Sequence, residues 1–152
     1  MKYKIFISYS TKDLATVEQF RLLLIHPSIK VFIAEHDVKP GESLLEKIYP
    51  SIQNCHTFIL LWSKNSEMSE WVKKEIEIAR ANKRKILPVL LDGKAVLPKP
   101  LDELKYLPFH SDPEYVLGWL RENIYGQIKN KESDSWFWLV VGAAFIWLLT
   151  RE

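Results

Sequence analysis

Lys4-Ile5-Phe6-Ile7-Ser8-Tyr9-Ser10 opens the first apolar run of the chain, and its pattern decides the fold. The run KIFIS at 4–8 is rich in β-formers and carries little polarity on either face. A parallel strand covered by helices on both sides reads this way. Thr57 to Trp62 (TFILLW), Ile29 to Ile33 (IKVFI) and Lys85 to Leu91 (KILPVLL) repeat the signature. Pro88 lies inside the last of these and places that strand at an edge or a bulge. Tyr106 to Phe109 is a shorter candidate for a fifth strand.

Helical periodicity fills the spaces between the runs. Ser10 and Asp13 stand at capping-box spacing, and Val17, Phe20 and Leu24 follow on one face until His26-Pro27 stops the helix. Ala34 to Gly41 reads as a polar loop closed by a Pro-Gly turn. Ser43 and Glu46 repeat the capping spacing ahead of a helix towards Ile52. Ser66 reads as the N-cap of the next helix, with Glu67 and Glu70 in or near a first turn that favours acids. That helix runs to about Asn82, and Asp92 to Pro100 is a loop. Asp112-Pro113-Glu114 begins the last helix, with Val116, Trp119, Leu120 and Ile124 as its apolar face.

Strands alternating with helices imply right-handed parallel βαβ units. The expected fold is therefore α/β, a flavodoxin-like open parallel five-stranded sheet with helices on both faces. Ligands of such sheets bind outside the carboxyl ends of the strands, here the loops after Ser8, Ile33 and Trp62.

At 152 residues, 47% hydrophobic and 26% charged, the chain fits one globular domain. A net charge of +2 with no basic stripe interleaved with stacking aromatics gives no reason to expect nucleic acid as a partner. Lys83, Arg84 and Lys85 read as cations at a helix C-terminus. The single cysteine, Cys55, excludes an internal disulfide and suits a reducing cytoplasm. The apolar run after Met1 to Lys4 is too short for a signal-peptide core and lacks a small-residue cleavage site, so export by that route is not expected.

The end of the chain differs. A polar linker, 129–135, precedes the uncharged stretch Trp136 to Leu149 (WFWLVVGAAFIWLL), expected as a hydrophobic helix over 136–150. As a tail anchor it would place Trp136, Trp138 and Trp147 as an aromatic belt, with preceding cations holding the domain on the cytoplasmic side. At roughly 15 residues it spans about 22 Å, short of the ~30 Å hydrocarbon core. The alternative is a terminal helix packed on protein. A helix apolar on every side needs burial all round, which favours membrane association.

Several site types are absent from the sequence. There is no GxGxxG and no Walker loop, and His26, His36, His56 and His110 show no metal-ligand spacing with one another or with Cys55. No metal is expected. A phosphoacceptor receiver would need acids where Ser8-Tyr9-Ser10 stands. Three segments instead converge at the strand ends: Phe6 to Asp13 (FISYSTKD), Phe32 through the loop Val38-Lys39-Pro40-Gly41-Glu42-Ser43, and Ser69-Glu70-Trp71-Val72-Lys73-Lys74-Glu75. In this order they resemble the TIR family: its opening FISYS box, its long second loop ending in Pro-Gly, and its S-x-W-[CV]-x-x-E helix. The resemblance covers residues 1–128.

Many bacterial, archaeal and plant TIR domains, and one animal branch, hydrolyse or cyclise NAD⁺ with the Glu of the third motif. Other animal members are adaptors that bind one another. The resemblance implies Glu75 as catalytic carboxylate, NAD⁺ as substrate rather than cofactor, and activation by self-association. It also implies Tyr9 and Ser10 near the nicotinamide end, Phe32 and Ser43 along the cleft, Lys39 towards phosphate or a neighbouring protomer, and Trp71 beside the ribose. The second loop offers only His36 where enzymatic members often carry an adenine-stacking aromatic. Glu75 and Trp71, four residues apart, share a helix face. A carboxylate there would offset charge in an oxocarbenium-like transition state. Nicotinamide departs neutral, so no general acid is required. The rival expectations are a non-catalytic interaction module and a related nucleoside-handling enzyme.

Overall fold

The computed structural model describes residues 2–130. Strands β1 (Tyr3–Ser8), β2 (Ile29–Phe32), β3 (Thr57–Trp62), β4 (Ile86–Leu90) and β5 (Leu107–Pro108) form one sheet in the order β2-β1-β3-β4-β5. Every pairing is parallel. The helices are α1 (Leu14–Leu23), α2 (Ala34–Asp37), α3 (Leu44–Gln53), α4 (Lys64–Glu67), α5 (Glu70–Ala81) and α6 (Pro113–Asn130). This is the flavodoxin-like architecture. α6 continues to Asn130, so the first two residues of the expected linker are helical. The hydrophobic stretch 136–150 lies outside the described residues. Among the described residues no helix is long and apolar enough to cross a membrane.

The central strands dictate the layering. All six residues of β3 are buried, so apolar side chains leave the sheet in both directions and both faces must be covered. On one face Ile5, Ile7, Ile59 and Leu61 pack with Val17 and Phe20 of α1 and with Val116, Trp119 and Leu120 of α6. On the other, Phe6, Phe58, Leu60 and Trp62 pack with Ile48 and Ile52 of α3 and with Val72, Ile76 and Ala79 of α5. Phe6 lies in register with Phe32 and Phe58. The three rings stack across β2, β1 and β3 with centroids 5.2 and 5.3 Å apart. Parallel strands thereby gain a cross-strand aromatic ladder beyond simple burial.

Four local readings are corrected. Ala34 to Asp37 is a helical turn, not open loop; the Asp37 carboxylate accepts from Ile33 N at 2.7 Å and closes it. Ser66 caps nothing. Ser63 caps α4 in a capping box with Ser66, and Ser69 caps α5 by accepting from Val72 N. Serines recur here every three residues, and only the chain path selects among them. Ser10 does cap, on a 3-10 turn, but Asp13 does not return to it; its carboxylate accepts from Ser63 Oγ at 2.5 Å and Asn65 Nδ2 at 2.9 Å. Pro88 sits in β4, which is paired on both sides rather than at the sheet edge. Leu91 donates to Trp62 O, so by alternation the nitrogen of Pro88 points away from β3. On that side β5 pairs only with Val89 and Leu90, and the missing N–H forfeits no ladder bond.

The C-terminus of α5 closes as a Schellman motif: Lys83 N donates to Arg80 O and Arg84 N to Ala79 O. Lys83 occupies the left-handed position with φ 54°, where a side chain is strained and glycine is not. Lys83→Gly should therefore stabilise the domain by about 1 kcal/mol, raising Tm by ~2–4 °C. An unchanged or lowered Tm would refute this account of the cap.

Candidate active site

The sheet order creates a switch point between β1 and β3, where the chain leaves β1 towards β2 on one side while β3 lies on the other. A crevice at the carboxyl ends is expected there. A cleft of about 270 Å³ opens at this end, lined by Tyr9 and Thr11 after β1, Ala34 of α2, Leu44 and Ile48 of α3, and Ser69, Trp71 and Glu75 at α5. Its volume is just below the range of pockets that enclose whole drug-sized ligands. It suits one end of a larger molecule.

Glu75 is 6% exposed. Its Oε1 accepts a hydrogen bond from Ser8 Oγ at 2.8 Å. No Lys or Arg among the described residues forms an ion pair with it. Burial pushes its carboxyl up to about 7, against the smaller opposing pull of the Ser8 hydroxyl. The cleft thus holds a carboxyl lacking a cationic partner. Trp71, one turn earlier on α5, is 42% exposed, and Lys74 lies 5.5 Å over its ring. An aromatic wall therefore stands above the acid.

Of the residues singled out by sequence, Tyr9, Trp71 and Glu75 meet in the cleft. Ser10, Phe32, Lys39 and Ser43 are not among its lining. Ser10 is buried, and its Oγ accepts from Lys12 N. Phe32 stacks on Phe6. Ser43 caps α3 by accepting from Glu46 N. Lys39 is exposed, and its backbone N–H donates to Glu42 Oε1. Sequence reasoning missed Ser8, which is fully buried. The signal was present: Ser8 follows Phe6 by two and so points to the same face, and a hydroxyl inside an apolar strand needs a partner.

The buried acid sets a pH signature. With a folded value of about 7 against an ordinary 4.5, the native state holds the proton more tightly than the unfolded chain. Stability falls as pH rises from about 4.5 to about 7, and the full cost, about 3 kcal/mol, is present above that. Glu75→Gln keeps the shape and removes the charge. Its Tm should exceed that of the natural protein by roughly 5–10 °C at pH 8, with the gap closing by pH 5. A gap independent of pH would contradict the assignment.

Residues 5–119 match the profile of the TIR domain family. The chain is 30% identical to Toll-like receptor 2 of Equus caballus over 84% of its own length and 18% of that receptor, and it spans 10% of Toll-like receptor 2 from Bison bison. It thus covers a small fraction of the curated relatives it matches. Among solved structures, the TIR domain of the Toll-related receptor TRR-2 from Hydra magnipapillata superposes with a TM-score of 0.69 at 23% identity, over 84% of this chain and 99% of that one. This likeness bears on the fold alone. A metazoan TIR-STING receptor from C. gigas gives a TM-score of 0.60 at 28% identity, over 84% of this chain and 47% of that one. With the sheet order, the cleft and the matching profile in agreement, the chain belongs to the TIR domain family.

Proposed function

We propose that this domain is an NAD⁺ glycohydrolase that cleaves the bond between nicotinamide and ribose, giving nicotinamide and ADP-ribose or a cyclic variant, in defence or cell-death signalling. The observation carrying this reading is Glu75, a carboxyl buried in a cleft without a cationic partner beside an aromatic wall. A desolvated carboxylate gains most from a ligand that brings its own positive charge, and the pyridinium of NAD⁺ does so. As the C–N bond breaks, the positive charge passes from the ring to the ribose, where Glu75 can stabilise it. Ser8 orients the carboxylate and favours its ionised form. Tyr9 and Trp71 bound the space for the nicotinamide riboside end. The pyrophosphate would lie towards Lys39 and the α3 N-terminus at Ser43, where the helix dipole favours anions.

The cleft accommodates one end of the dinucleotide, so a second copy completing it through the loop at 38–43 accounts for dependence on self-association. The hydrophobic stretch 136–150 would hold the domain at the cytoplasmic face of a membrane and raise its effective concentration. The 30% identity with Toll-like receptor 2 favours a second reading, a non-catalytic TIR–TIR interaction module.

Nicotinamide release from NAD⁺ by the full chain, at high concentration or on liposomes, decides between them. Glu75→Ala should lower release by roughly 10²–10³-fold or more. No release from the natural protein, with self-association confirmed, would establish the interaction module, and undiminished release by the variant would move the chemistry away from Glu75. Because the ionised form is active, kcat/KM should rise with pH through about 7. Ser8→Ala removes the hydroxyl that favours that form, so its midpoint should lie higher; an unmoved midpoint would exclude Ser8 from this role. Deleting residues 135–152 should leave a soluble protein with less activity at low concentration, and equal activity at matched low concentration would count against tail-assisted assembly.

A further inference from the structure

All five strands are parallel, so their amino ends gather at one end of the molecule, opposite the cleft. The helices that return the chain end there as well. Side-chain and backbone contacts draw this end together. Arg84 Nη1 donates to Cys55 O, Lys4 N to His56 Nδ1, and Tyr125 OH to Leu23 O. His26 and Tyr125 have ring centroids 5.2 Å apart.

The charge at this end is one-sided. Segments 2–4, 24–30, 53–57, 80–86 and 125–130 contain eight Lys or Arg and no Asp or Glu. Lys2, Lys4, Lys30, Arg80, Lys83 and Lys129 are all exposed. Lys4 and Lys30 stand directly opposite each other in the β1–β2 register, an arrangement that costs stability unless an anion faces it. Lys83 keeps its charge at a backbone position better suited to glycine. At the cleft end, segments 9–13, 33–43, 63–70, 91–100 and 109–114 carry nine acids against five Lys. The molecule is thus electrically polar along the strands although its net charge is only +2.

Two further observations identify the kind of surface this end meets. Leu22 and Ile25 are 60% and 62% exposed, beside the contact between Leu23 and Tyr125. Aliphatic side chains at the same end as cations suit the boundary of a lipid layer; single-stranded nucleic acid calls for exposed aromatics that stack. The described chain leaves this same end through α6, and six residues after Asn130 the uncharged stretch from Trp136 begins. Six residues reach at most ~20 Å, which keeps this end of the domain close to the stretch.

We infer that the strand-amino end, with Lys2, Lys4, Lys30 and Lys83 and, at and just beyond the end of α1, Leu22 and Ile25, is a docking surface for an anionic lipid headgroup layer, and that it turns the Glu75 cleft away from the membrane. This deepens the membrane part of the reading above and does not depend on NAD⁺ cleavage. The tail supplies apolar insertion into any bilayer; the basic end adds preference for acidic lipid and a fixed orientation.

The test uses the full chain and phosphatidylcholine vesicles with or without phosphatidylglycerol. Each lysine near an anionic surface contributes about fivefold to partitioning. The combined variant Lys2→Gln, Lys4→Gln, Lys30→Gln, confirmed as folded by circular dichroism, should lose on the order of a hundredfold in preference for phosphatidylglycerol while its binding to neutral vesicles is unchanged. Equal preference in variant and natural protein would overturn the proposal. Orientation is read with an environment-sensitive thiol dye at Ile25→Cys or, on the cleft end, at Met68→Cys, which replaces a residue 84% exposed. The native Cys55 is buried with its thiol pushed up to about 11, so it does not compete for the dye. A blue shift at 25 and none at 68 on phosphatidylglycerol vesicles is expected; the reverse, or equal shifts, would overturn the orientation. If duplex RNA produces the same shift at 25 and displaces the protein from vesicles, the surface is one for nucleic acid and the lipid assignment fails. Tail insertion is scored separately by neutral-vesicle binding, and the NAD⁺ reading by nicotinamide release.

Discussion

Everything in this domain follows from the burial of β1 and β3 on both faces. A strand without a solvent side forces helices onto each face, and short right-handed crossovers can supply them only if the chain changes direction once along the sheet. That change lies between β1 and β3, and it leaves the carboxyl ends of the two most buried strands beside an open crevice. Glu75 reaches this crevice from α5 and meets Ser8 at the end of β1. The same alternation that buries Phe6 and Phe58 brings the hydroxyl of Ser8 to the carboxyl. Core and site are therefore one construction, and a polar pair inside it stands on packing that an apolar pair would have satisfied with less cost.

Much of this is legible in the amino-acid sequence. Strand positions follow from apolar runs whose length and composition suit a covered parallel sheet, and the Ser43 and Asp112 caps follow from their spacing to the first helical turn. Glu75 and Trp71 stand out because their spacing and motif coincide. The rest depended on distance through space. Ala34 to Asp37 is polar and has no helical period, so nothing local announces its turn; the bond from Asp37 to Ile33 N makes it. Ser63, Ser66 and Ser69 offer equivalent cap chemistry, and tertiary path decides which two stand at the N-cap positions. The family resemblance directs Phe32 and Ser43 towards the cleft, yet one completes an aromatic stack and the other a helix cap. Both roles are available to those residue types in any setting. Ser8 was hidden for the opposite reason: its meaning lies in a partner 67 positions away.

The site runs against the stability of the fold that carries it. Hydrating Glu75 would relieve its burial, and a cation beside it would neutralise it. Among the described residues it receives one hydroxyl, that of Ser8. A group held this far from its ordinary ionisation is typical of sites where the ligand completes the electrostatics. The fold tolerates this because the surrounding shell, from Phe6 to Val72 and Ile76, is fully or almost fully buried and leaves the acid little room to turn away.

Asp13 has a consequence for how such a domain can change over generations. Its carboxylate joins the loop after β1 to Ser63 and Asn65 after β3, and Ser8 joins β1 to α5. Two sides of the crevice are thereby welded into one piece. The third side, from Ala34 to Ile48, has bonds that stay at home: Asp37 to Ile33, Glu42 to Lys39 and Lys47. Replacements at the polar positions of that third side can reshape the opening without breaking a hydrogen bond or ion pair to the segments that hold the acid. Chemistry and taste are inherited on separate segments, and a lineage can trade one molecular diet for another while its reactive corner stays fixed.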